Sequence, residues 1–286
     1  MNVVTLNLRA MFGRAYPRLI GMNREPSWML FDTILPLVSI SAYVFVYHGF
    51  FAGATSPAEI SRRDALVGFV ILGGTMMAFW NNVLWSMASQ FYWEKEHGNL
   101  QLYMMAPMSR MAVLGGMAIG GMVATSVRAF STLILGILLF GVVLNFSNPG
   151  LILVIFAVTL VALYGLGMMF ASLYLMWGRE AYHLSSLMEE PISLISGFNY
   201  PSGALPKSIS IAASLIPATL GLDALRQVMF AGKDLGPLSK LWLADPFTEL
   251  LALVVLGVVF VTLARTSLAY FERLAKREGR LTERHR

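Results

Sequence analysis

An all-α membrane protein with six crossings is the fold class predicted by three observations. Hydrophobic residues make up 57% of the 286-residue chain and charged residues only 13%, against roughly 25% charged in an average soluble domain. Apolar runs near or above 20 residues recur, the length that covers roughly 30 Å of hydrocarbon. The lysines and arginines fall unevenly between the two sets of connections, as they do when cytoplasmic loops retain positive charge. The lack of cysteine excludes disulfides, thiolate metal sites and cysteine nucleophiles. No cleavable signal peptide is expected, because Arg9, Arg14 and Arg18 interrupt the first apolar residues.

The elements follow in order. Residues 1–28 alternate apolar positions with those three arginines, which suits an amphipathic helix in the headgroup layer. Pro17 is expected to bend or end it. Spans are read near 29–50, 65–89, 115–144, 150–177, 183–198 and 247–270, so the six-span domain covers 29–270. The third apolar run, Met111 to Phe146, is too long for one upright crossing and predicts tilt or an interfacial first turn. The fifth span is short, and the region behind it, 199–226, is neither a simple loop nor a clean span. Residues 271–286 form a basic, solvated tail. With both termini inside, the cytoplasmic side holds 14 lysines and arginines and the outer side six, leaving Arg128 within a span. The net charge of +5 is thus a matter of topology and not of nucleic-acid binding.

Between the second and third apolar runs, residues 93–110 read WEKEHGNLQLYMMAPMSR. In register this resembles the cytoplasmic segment after the second span of ABC type-2 exporter permeases: acidic residues, Gly-Thr-Leu-Glu, then Pro-x-Ser-Arg. Glu94, Glu96, Gly98, Leu100, Pro107, Ser109 and Arg110 match, while Asn99 and Gln101 depart from the pattern. A second stretch is similar to the same family: Ser196-Gly197, Pro201, Leu205-Pro206, Pro217 and a closing Asp223-x-x-Arg226. In that family it forms a re-entrant helical hairpin in the outer leaflet. Non-helical backbone at that depth persists only under a cover of protein or lining a water-filled cavity.

The resemblance implies a non-catalytic permease subunit of an ATP-driven exporter in a bacterial cytoplasmic membrane. It implies two copies of a cytosolic ABC ATPase carrying ATP and Mg, and a second permease copy in a homo- or heterodimer. Cargo of that family is hydrophobic or amphiphilic: a drug, a lipid or a lipid-linked glycan. Residues 90–110 would be the coupling segment, with Glu94 and Glu96 meeting the motor and Leu100, Leu102 and Met104 supplying apolar burial. No cofactor is expected on the chain itself, which lacks a Gly-x-x-x-x-Gly-Lys-Ser/Thr phosphate loop. Its four histidines show no metal-ligand spacing.

Other residues stand out without a family pattern. Arg128 lies in the third apolar run and Glu189-Glu190 in the fifth, and intramembrane charges usually pair. Two readings stay open: an Arg128 pair with Glu189 or Glu190, or an arginine snorkelling to headgroups. The pair also suggests an alternative function, an ion- or proton-coupled secondary transporter. Asp223 and Arg226 share a helix face and serve either an outer gate or local structure. The aromatic residues Tyr43–Phe51 and Trp80–Trp93 suggest interfacial belts. Gly115, Gly116, Gly120, Gly121, Gly165 and Gly167 suggest close helix packing.

Overall fold

A computed structural model describes residues 2–24, 26–177, 179–232 and 245–277, together with Leu241 and Leu243. Among these residues all regular structure is helical, as composition and run length predict. The first helix, α1 (Val3–Arg24), leads into α2 (Pro26–Phe50). Pro17 lies inside α1 without ending it. Next comes α3 (Pro57–Asn82), whose start is set by a capping box in which Ser56 and Glu59 satisfy each other's backbone donors, with Pro57 in the first turn. A π-helical turn, Val83–Ala88, joins α3 to α4 (Gln90–Glu96), so the whole makes one 40-residue rod.

The chain then reverses at Gly98, in the left-handed region at φ 77°, where a side chain would be strained. A short helix α5 (Leu100–Met105) precedes α6 (Arg110–Phe140). At 31 residues and 1.5 Å per residue, α6 is about 46 Å long, more than an upright crossing requires. It ends on Gly141 at φ 65°, the usual left-handed helix stop. Two further helices, α7 (Pro149–Trp177) and α8 (Arg179–Ile195), are followed by a 3₁₀ turn (Ser202–Ala204), α9 (Lys207–Ala213), α10 (Pro217–Met229) and α11 (Pro246–Arg277).

Among the described residues five helices are long and apolar enough to cross a membrane: α2, the α3–α4 rod, α6, α7 and α11. The pair α9–α10, bent by 105°, makes six if it is counted as one broken span. The helix at the expected fifth span, α8, has 17 residues, about 26 Å, short of the roughly 30 Å of hydrocarbon. The chain after Ile195 tucks against α3, where a Cβ on Gly73 would meet Phe198 and Arg226 bonds the carbonyls of both Phe69 and Phe198. The region read as a re-entrant hairpin holds the bent α9–α10 pair.

The α3–α4 rod is the centre of the bundle. Its most apolar window is 78% buried, against 17% in α2, 28% in α6 and 22% in α11. The outer helices instead turn Phe31, Leu35, Phe45, Leu138, Leu139, Leu251 and Val258 outward, as lipid-facing helices do. Small residues set the close approaches. A Cβ on Gly116 would strike the backbone of Met11 in α1, and one on Gly73 would collide with the carbonyl of Phe198. The expected close packing at Gly115, Gly120, Gly121, Gly165 and Gly167 is met by contacts with α1, α7, α11 and the π turn. The belt reading of the aromatic cluster needs correction. Trp80 and Phe91 are fully buried in the core, because the central rod offers them no lipid.

Candidate functional site

Two regions carry the matched motifs, one at each end of the α3–α4 rod. The turn between α4 and α6 forms the first. Its inner face is tied to three other elements. Arg14 of α1 forms an ion pair with Glu94 and donates through Nη1 to the Tyr103 hydroxyl at 3.0 Å. Gln90 donates to the same Glu94 oxygen at 3.0 Å. The Ser109 amide donates to Asn7 Oδ1 of α1 at 2.9 Å. On the other flank Arg110 holds the turn's own carbonyls, those of Met104 at 2.8 Å and Met108 at 3.3 Å. It also reaches Glu272 of α11 at 3.3 Å, and Lys276 joins that carboxylate at 2.6 Å. Leu100 is buried beneath the turn. The described parts of both terminal helices thus meet this one turn at the same end of the bundle. The boundary expected at residue 270 falls inside α11, and residues 278–286 lie outside the described residues.

The outer face of the turn has a different character. Trp93 (45% exposed), Leu102 (62%) and Met105 (75%) point away from the bundle, and Pro107 is exposed beside them. Of the two acidic residues in the motif, Glu94 is 6% exposed and faces α1. Glu96 is half-buried, with one oxygen lacking a partner among the described residues. Gly98 makes the reversal, Leu100 anchors it and Arg110 staples its end. The outward surface presents these apolar side chains beside exposed His97, Asn99 and Gln101, while Glu94, read as meeting the motor, is turned inward.

The hairpin region is the second. Arg226 on α10 is fully buried and organises the irregular backbone around it. Nη1 donates to the carbonyls of Gly197 at 2.8 Å and Tyr200 at 3.3 Å, and to Ser202 Oγ at 3.4 Å. Nη2 donates to Phe69 of α3 at 2.7 Å and Phe198 at 3.2 Å. The guanidinium also lies 4.8 Å from the centroid of the Phe69 ring. Gly197 takes φ 68° to make this turn, and the Tyr47 hydroxyl donates to Asn199 O at 3.2 Å. Three prolines set the corners: Pro201 precedes the 3₁₀ turn, Pro206 caps α9 and Pro217 opens α10.

Asp223 and Arg226 share a helix but take different partners. Asp223 accepts from the Leu241 amide at 3.0 Å and from Gln227 at 2.9 Å, and Gln227 also reaches buried Glu249 of α11 at 3.2 Å. Both Asp223 and Arg226 join separate segments.

Glu189 accepts the indole N–H of Trp85 at 3.0 Å, and Glu190 is exposed. Arg128 lines a cavity of about 460 Å³ with Arg18, Asn81, Asn82, Ser86 and Thr125. Sequence reasoning missed this cavity, and also Arg14, Tyr103 and Glu272. The signal for the cavity was the polar run Asn81, Asn82, Ser86, Ser89 and Gln90 inside an apolar span. Arg14 and Glu272 had no local signal, since their partners lie 80 and 162 residues away in the chain.

A family model described as ABC-2 type transporter matches residues 14–230. That stretch contains the turn, the cavity and the hairpin. No curated protein matches the chain.

Proposed function

Because that match covers most of the chain and makes it a member of the ABC-2 type transporter family, we propose that it is the permease subunit of an ATP-driven exporter whose motor docks on the turn at residues 93–107. The observation that carries this reading is the two-sided build of the turn. One side is bonded to α1, α6 and α11, while the other presents Trp93, Leu102 and Met105. A motor that grips the apolar side moves the central rod and both terminal helices together. Closing motors then work on rigid, packed elements, which shift as bodies and do not deform continuously.

Within this scheme Glu94 acts through Arg14 by holding α1 to the turn. The bias of 14 cationic residues against six supports a cytoplasmic position for the turn and both termini, in a bacterial cytoplasmic membrane. Two motors and a second permease copy complete the assembly, with ATP and Mg held by the motors. The buried, arginine-pinned hairpin faces the outer leaflet, and the cargo is hydrophobic or amphiphilic. The test separates grip from transmission. Leu102→Asp with Met105→Asp removes the ATPase from the purified complex. Glu94→Lys leaves the ATPase bound but disconnects its hydrolysis from transport. Retention of a fully coupled motor by the Leu102/Met105 variant overturns the docking surface.

A further inference from the structure

The central rod is one element with two sets of partners. Its outer half belongs to the hairpin: the Phe69 carbonyl accepts from Arg226 at 2.7 Å, and Gly73 lets the Phe198 backbone approach. Its inner half belongs to the turn: Glu94 is paired with Arg14, and the Ser109 amide is bonded to Asn7 at 2.9 Å. The π turn Val83–Ala88 lies between these two sets. A π-helical turn widens the backbone ladder and is a recognised cause of a kink in a long helix. Here the Ser89 hydroxyl also donates to the Trp85 carbonyl at 2.7 Å, a back-bond of the kind that bends helices.

The surroundings of the π turn fit a joint. The neighbouring α1 carries a ladder defect at the same level, because Pro17 lacks the N–H of an i→i−4 bond. Arg18, the next residue, donates to the Ser86 hydroxyl in the π turn, so the two weak points are bonded side by side. Room for movement lies next to them, in a cavity of about 330 Å³ lined by Arg14, Pro17, Arg18, Ser86, Gln90 and Met117. Other contacts hold the present shape. Trp85 donates its indole N–H to Glu189 of α8 at 3.0 Å. Gly167 of α7 leaves the notch that receives the π turn, since a Cβ there would meet Val83 at 2.9 Å and Met87 at 3.1 Å.

We propose that the π turn and Pro17 form a hinge at which α4, the turn and the inner half of α1 swing as one body against α3 and the hairpin. A bend of about 20° is the size of kink such a defect supports. His97 lies about 18 Å beyond Trp85 along the rod, so that bend carries it through about 6 Å. The hinge deepens the exporter reading above and rests on it for what drives the swing. Its mobility is a property of this chain alone, so the two claims fail separately.

The chain has no cysteine, so a pair of spin labels can be placed without background. His97→Cys at the turn and His183→Cys on α8, both at exposed positions, carry nitroxides in the full chain in mild detergent, and pulsed dipolar spectroscopy reads the distance between them. The expected result is a broad or split distribution that spans about 6 Å. Deleting Ala88 removes the extra residue of the π turn and leaves an unbroken α-helix, and the distribution narrows to a single peak. Trp85→Phe keeps an aromatic ring, removes the bond to Glu189 and broadens the distribution, which covers the case in which the deletion variant fails to fold. With a co-purified ATPase, a non-hydrolysable ATP analogue shifts the labelled parent by about 6 Å and leaves the deletion variant in place. A parent distribution as narrow as that of the deletion variant and unmoved by Trp85→Phe overturns the hinge, as does a motor-bound parent that the analogue does not shift.

Discussion

Replacing Arg226 with methionine removes the pin of the hairpin without emptying its volume. In the structure two strong bonds join separate segments, to Gly197 O at 2.8 Å and Phe69 O at 2.7 Å, and three longer ones run to Phe198, Tyr200 and Ser202. Leaving a buried carbonyl unsatisfied costs about 1–3 kcal/mol, so the two short bonds alone account for roughly 2–6 kcal/mol. Methionine offsets part of this, because it avoids burying a guanidinium, which itself costs several kcal/mol. The net expectation is a loss of about 3 kcal/mol. Denaturant titration of the purified chain in detergent, followed by tryptophan fluorescence, reads that loss as a lower midpoint. Lysine at the same site recovers only part of it, since one ammonium cannot hold α3 and the Gly197–Ser202 turn as a planar fork does. A methionine variant within about 0.5 kcal/mol of the parent, the range of ordinary surface changes, would refute the idea that Arg226 holds the hairpin to α3.

The remaining predictions concern other joints of the molecule. Gly73→Ala puts a Cβ into the carbonyl of Phe198 and destabilises by about 2–3 kcal/mol; with Arg226→Met the losses are less than additive, because both loosen one contact. Glu94→Gln and Arg14→Gln each cost about 1–3 kcal/mol, and a double-mutant cycle returns a coupling of about 1 kcal/mol or more for this largely buried pair; additive losses refute the tie between α1 and the turn. The Ser56 hydroxyl and backbone hold the exposed Glu59 carboxyl below its usual 4.5. A depressed folded value means that its cap is complete at neutral pH and fades as pH falls through the acidic range. Amide protection at residues 58–60, taken relative to intrinsic exchange, should then fall at acid pH in the parent and stay flat in Glu59→Gln.

The helices were legible because a bilayer imposes a length and composition that a linear reading can find. Gly197, Pro201 and Pro206 were visible as breakers, and each does end or turn an element, whereas Gly141, which ends α6, lay inside the span read as 115–144. Partners across the bundle were not legible. Nothing near Glu94 in the chain says that Arg14 claims it, and nothing near Arg110 points to Glu272. The same blindness placed Trp80 and Phe91 in a belt: hydropathy records that a side chain is apolar, but not whether lipid or protein surrounds it. The polar cavity beside the π turn was not legible because its lining comes from several helices far apart in the chain.

The central claim is that the turn at residues 93–107 couples this chain to an ATPase. The chain should be purified from its native membrane in mild detergent, its soluble partners identified by mass spectrometry, and ATP hydrolysis measured in lipid. The account predicts a stoichiometric ABC ATPase that disappears when Leu102 and Met105 become aspartate. It also predicts that Glu94→Lys retains the ATPase but loses coupled transport. A chain that purifies without any ATPase and moves solute down an ion gradient would contradict it.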